Sequence, residues 1–180
     1  MKAAFISGKK GFDLFFTINR RVILTLLGAF IFLGLSACKP TLLPNTNLKD
    51  NKENRSLYKF MLQYKGAVEK RNSEAVMALV SQDYFEDNGN LIQEDDYGYD
   101  GLKERLNNRF GHLKAIKLDL FIQDVAEGDN KIFVVYRYQQ RTLVTLPAGE
   151  SWVSHNDVAR LTLRKKGDDF KDGFEVLSGL

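Results

Sequence analysis

The chain has 180 residues, with 26 Lys or Arg, 23 Asp or Glu, two His, one Cys and a formal net charge of +3. A single cysteine excludes a disulfide framework within the chain, and two histidines leave no histidine-built metal cluster. The positive excess sits at the start. Residues 1–37 hold five Lys or Arg and one Asp, so residues 38–180 carry 21 basic and 22 acidic side chains, with no basic stripe interleaved with aromatics to mark a nucleic-acid partner.

Arg20 and Arg21 precede an uncharged run of 17 residues that ends at Cys38, before Lys39 and Pro40. That length is at the lower limit of the ~17–25 residues a spanning helix needs. The run has no polar face, so it does not read as a core helix of a soluble domain. Basic residues before it and small residues at its end fit a secretory signal, with an uncleaved N-terminal anchor as the alternative. Its closing residues Leu35, Ser36, Ala37 and Cys38 resemble the lipobox of bacterial lipoproteins. The resemblance implies that the Cys38 thiol receives a diacylglycerol, that residues 1–37 are removed, and that the new terminus is acylated. Acyl chains anchor a protein to membrane lipid at ~0.8 kcal/mol per buried CH₂. The leader departs from the pattern in its length, with Lys9, Lys10 and the Phe12–Phe16 patch upstream of the run. In the lipoproteins it resembles, the residue after the cysteine directs sorting, so with Lys39 there the resemblance implies the cell envelope, with the outer membrane facing the periplasm favoured. With Cys38 acylated, no thiol remains for catalysis or metal binding.

Residues 38–54 are rich in Pro, Asn and Lys without a period and read as a lipidated terminus and flexible tether, reaching roughly 50 Å when extended. Residues 55–180 read as one α+β domain. Leu57, Phe60, Met61, Tyr64, Ala67 and Val68 recur at helical spacing from Asn54 or Ser56 onward. Asn72 or Ser73 caps a short second helix carrying Val76, Leu79 and Val80. After an acidic, glycine-containing loop, Asp100 is the expected cap of a third helix with Leu102, Leu106, Arg109 and Phe110 on one side. Beyond Gly111 the period becomes two. Ile116, Leu118, Leu120 and Ile122 share one face of a strand. Tyr136 and Tyr138 share a face of the next, opposed by Arg137. Val153, His155, Asp157, Ala159, Leu161 and Leu163 share a face of the third, and FEVLSGL closes the chain. Long strands with short connections predict an antiparallel meander covered on one face by the helices.

That order, together with SQDYFEDNG and the closing ARLTLRKKGDDFKDGFEVLSG, resembles the nuclear transport factor 2-like, or SnoaL-like, cone fold over about residues 55–180. The resemblance implies three helices on a curved antiparallel sheet with a hollow between them. Members of that family use the hollow as isomerases, dehydratases or other small-molecule enzymes, or as binding and dimerisation modules. Fold alone does not choose among these.

Asp83 and Tyr84, at the end of the second helix, are a candidate acid–base and carbonyl-polarising pair. His155 and Asp157 share strand parity and suit an oriented base; for both pairs the structural reading, a capping Asp83 with a packed Tyr84 and a solvated strand start at His155, is the stronger one. His112 follows a helix-ending glycine, where its charge complements the helix dipole. Tyr64, Tyr84, Tyr97, Tyr99, Tyr136, Tyr138 and Trp152 are candidates for a ligand pocket or partner face. Glu94, Asp95, Asp96 and Asp100 match no calcium loop and read as a solvated charge run. No metal or cofactor is expected. The leading expectation is a noncatalytic envelope domain that binds a small apolar ligand or another envelope protein. The alternatives are an isomerase- or dehydratase-like enzyme and a dimeric structural module.

Overall fold

The computed structural model describes residues 41–90, 92–167 and 170–180. Leu35, Ser36, Ala37 and Cys38 lie outside the described residues. Helix α1 (Lys52–Glu69) starts where the Asn51 side chain accepts from the Asn54 N–H at 2.8 Å, one turn ahead of the expected start. It buries Leu57, Phe60, Met61, Ala67 and Val68. Arg71 takes a positive φ of 54°, and Asn72 then caps α2 (Ser73–Met77) through the Ala75 N–H. Strands β1 (Phe85–Glu86) and β2 (Tyr97–Gly98) pair across the acidic loop, with one 3-10 turn at Gln93–Asp95 between them. Strand β2 runs straight into α3 (Tyr99–Gly111). The cap position is therefore Gly98, without a side-chain bond, and Asp100 lies in the first turn rather than at the cap. His112 is the exposed C-terminal cap of α3.

Strands β3 (Ala115–Gly128), β4 (Lys131–Leu146), β5 (Gly149–Lys165) and β6 (Phe174–Ser178) form one antiparallel meander in that order, with a short 3-10 turn at Phe170–Asp172 before β6. Asp129 and Asn130, at φ 50° and 59°, make the tight β3–β4 turn, since two positive φ values match the twist of the strands it joins. The β3–β4 register slips between Ile122 and Asp124, a bulge that bends the sheet. Inward positions of the four strands, including Ile122, Val134, Leu161, Leu163, Phe174 and Val176, meet α1 in the main core. There Phe60 packs edge-on against Phe174 with ring centroids 5.7 Å apart. Burying side chains of this size contributes about 1.5–3 kcal/mol each. A second cluster joins Ala67, Val68, Val76, Phe110, Ile116 and Leu118.

Residues 41–50, expected as free tether, are folded. Leu43 and Leu48 are buried in the main core and Thr46 is buried beside them. The Thr46 hydroxyl donates to Leu43 O and accepts from the Leu48 N–H, both at 3.0 Å. Asn47 N–H donates to Ile122 O at 2.9 Å, and Ile122 N–H to Asn45 O at 3.2 Å, so the segment covers the edge of β3 at its bulge. On the opposite edge, Ser81 N–H donates to Val176 O and Val176 N–H to Leu79 O. Covered edges do not template further strand pairing. The domain boundary therefore lies before residue 41, not at 55. Among the described residues no helix is long and apolar enough to cross a membrane.

Candidate functional site

Register builds the site. Tyr136 pairs with Ile122 and Ala159, Tyr138 with Leu120 and Asp157, and Gln140 with Leu118 and His155. Pleating turns all nine side chains to the helix-covered face. Over them α1 lays Tyr64 and α3 lays Arg109, while Leu180 closes the floor behind Gly179. The result is a hollow of about 120 Å³ lined by Tyr64, Arg109, Tyr136, Tyr138, Gln140 and Leu180, with Leu118, Ala159 and Gly179. Larger concavities of about 620 and 600 Å³, along Asp119–Phe121 with Arg137 and at the β3–β4 turn, are open surface grooves.

Tyr136 and Tyr138 lie with ring centroids 6.0 Å apart, and Tyr138 lies 5.9 Å from the imidazole of His155. Arg109 Nη2 donates to Gln140 Oε1 at 3.2 Å. Burial pushes the Tyr136 hydroxyl well above the ordinary tyrosine range, and the neighbouring Tyr64 hydroxyl adds to the rise. Tyr64 is raised by burial, partly offset by its bond from Tyr136 and by the charge of Arg109. Tyr138 is raised by burial and by Asp157, with Arg109 opposing. All three phenols are neutral hydrogen-bonding groups near neutral pH, not bases. The lining is more polar than an apolar ligand requires.

The other predicted residues divide. His155 Nε2 lies 3.8 Å from Asp157 Oδ2 on the sheet beyond the helices, with side chains 65% and 61% exposed. Asp157 Oδ1 accepts from the Val158 N–H at 2.7 Å. Asp83 does not join Tyr84. Its carboxylate accepts from Arg164 Nη2 at 2.8 Å on the surface, and Arg164 also holds Glu175 and Ser81. Tyr84 is buried, its hydroxyl accepting from the Leu180 N–H at 3.2 Å and lying 3.3 Å from Glu86 Oε2 and Leu180 O. Burial raises its pKa far above the usual value. Tyr97 donates to Leu180 O at 2.9 Å under the guanidinium of Arg105, so both tyrosines hold the closing residues of the chain. Tyr99 packs against the main core. Trp152 is half exposed, with Lys117 Nζ 5.8 Å from its ring centroid, on the opposite sheet face. Among the described residues no group of three His, Cys, Asp or Glu could hold a metal. Sequence reasoning placed Arg109 on the inward stripe of its helix without a role, and missed Gln140, which continues the parity of Tyr136 and Tyr138. It also missed Leu180.

No family model matches the chain, and no curated protein matches it. Solved structures do. The chain is similar to a candidate dehydratase of the nuclear transport factor 2-like family from Streptomyces avermitilis, at 13% identity and a TM-score of 0.57, over 71% of this chain and 93% of that one. It is similar to a candidate scytalone dehydratase from Novosphingobium aromaticivorans, at 13% and 0.55, over 71% and 80%. A ketosteroid isomerase-like protein from Erwinia carotovora atroseptica matches at 18% and 0.51, over 71% and 92%. At such identities the likeness is one of fold. The domain has the nuclear transport factor 2-like architecture, three helices on a curved sheet.

Proposed function

We propose that the protein is a noncatalytic envelope lipoprotein, anchored through acylated Cys38, whose domain binds a small molecule in the tyrosine-lined hollow. The anchor rests on the sequence from Arg20 to Cys38, with the outer membrane favoured by Lys39. The binding role rests on one observation: the side chains of the lining supply three phenols, an amide and a guanidinium, and none of them is a carboxylate or imidazole placed to move a proton. A ligand is held there by hydrogen bonds and ring contacts. Intact mass of membrane-extracted protein tests the anchor: residues 1–37 are lost, a diacylglyceryl adduct is present, and Cys38→Ala leaves the precursor whole. Native mass spectrometry of the same material tests the binding role by showing a noncovalent small molecule. An intact amino end overturns the first claim, and a hollow empty in every preparation overturns the second.

A second reading is an isomerase- or dehydratase-like enzyme. It is favoured by the His155–Asp157 pair beside Tyr138, a residue that lines the hollow, and by the enzyme names of the similar structures. It predicts chemical conversion of the bound molecule that His155→Asn abolishes. The binding reading predicts that the molecule is recovered unchanged. A dimeric structural module, the third class, predicts a stable dimer and no ligand.

A further inference from the structure

We infer that the ligand of the hollow is a small carboxylate whose anionic group sits against Arg109, an inference that rests on the binding role proposed above. Arg109 is the one charged side chain among the residues that line the hollow. Its side chain is exposed at the rim and donates to the neutral amide oxygen of Gln140, and no ion pair joins it to a carboxylate side chain among the described residues. Two acids stand next to the lining: Glu69, which accepts from the Leu118 N–H at 2.9 Å and lies 3.6 Å from Lys65 Nζ, and Asp157, opposite Tyr138. Asp157 is engaged with its own strand through the Val158 N–H and faces His155.

Beside that cation stand Tyr64, Tyr136 and Tyr138, whose hydroxyls are neutral near pH 7 and are raised further by burial. A phenol gives one donor, and a guanidinium presents several in a planar fork that matches two carboxylate oxygens. Charge-assisted bonds of this kind are about twice as strong as neutral ones. A cationic ligand would meet like charge, and a purely apolar one would leave the guanidinium and the hydroxyls without gain. Size sets the rest. About 120 Å³ is the space of roughly four waters at ~30 Å³ each, enough for a single ring or a short chain. The faces of Tyr64 and Tyr138 favour a planar body behind the anionic group.

The test uses the full-length chain in detergent, with benzoate, benzyl alcohol and benzylamine as probes, followed by ligand-observed NMR titration. Benzoate is expected to bind at least about tenfold more tightly than benzyl alcohol, and benzylamine not at all. Arg109→Gln is expected to erase the preference for benzoate, and Arg109→Lys to restore part of it. Gln140→Leu, which removes the neutral partner but leaves the charge, is expected to keep the preference. Equal binding of benzoate and benzyl alcohol, or a preference that survives Arg109→Gln, overturns the carboxylate assignment and leaves the binding hollow intact. No binding by any probe up to its solubility overturns both.

Discussion

The hydroxyl of Tyr97 donates to the main-chain oxygen of Leu180 at 2.9 Å, tying β2, just before α3, to a residue 83 positions away. That bond, with those of Tyr84, sets how deeply Leu180 enters the hollow. Tyr97→Phe keeps the ring under Arg105 and removes only the donor, so it is expected to cost about 1 kcal/mol. Thermal unfolding and faster amide exchange at Gly179 and Leu180 measure it. An unchanged exchange rate there would show that the tyrosine does not hold the segment.

Gly179 turns the chain into the hollow with a φ of +98°, and a Cβ there would overlap the carbonyl of Arg160. Gly179→Ala therefore meets both backbone strain and a clash with rigid main chain. A loss of about 1–3 kcal/mol is expected, together with a larger accessible hollow as Leu180 withdraws. Uptake of a small aromatic dye reads the second effect, and denaturant titration the first.

The pH dependence of stability follows from two buried phenols, Tyr84 and Tyr136, and two partly buried ones, Tyr64 and Tyr138. Tyr64, Tyr84, Tyr136 and Tyr138 are raised above 10.0 by burial, so the folded state holds their protons more tightly than the unfolded chain does. The contribution is fully present below the unfolded value and declines as pH climbs past it toward the folded values. Stability is thus expected to fall above about pH 10, with part of the phenolate absorbance appearing only as the protein unfolds. Complete phenolate formation in the folded state would contradict this.

Truncation tests the domain boundary. A chain beginning at residue 41 keeps Leu43, Thr46 and Leu48, whereas one beginning at residue 55 loses two buried leucines and bares the β3 edge. The shorter chain is expected to be less stable by several kcal/mol, since losing a buried leucine side chain alone costs about 2–5. It is also expected to self-associate. Equal melting temperatures would return residues 41–54 to the status of tether.

The strands were the most legible part of the sequence. Alternation through Tyr136, Arg137 and Tyr138 placed both tyrosines on one face because a strand's side-chain period is fixed at two. The helical stripe through Leu102, Leu106, Arg109 and Phe110 was equally plain, but nothing local says that α3 passes over Tyr138. Strands β1 and β2, two residues each, are too short for any period. Leu43 and Leu48 are hidden among Pro, Asn and Lys, and their burial depends on the bulge at Ile122, far along the chain. Asp83 illustrates the opposite limit. Its neighbour Tyr84 turns into the core while Asp83 turns out to Arg164, an arrangement set by the β5–β6 hairpin rather than by adjacency.

Because residues 41–50 lie clasped against β3, only Lys39 and Pro40 separate the proposed acylated sulfur from the first anchored position. Three residue steps on so short a lead give ~10 Å of slack at full extension. On the proposed anchoring, that length is the farthest the domain can stand off from the lipid through these residues.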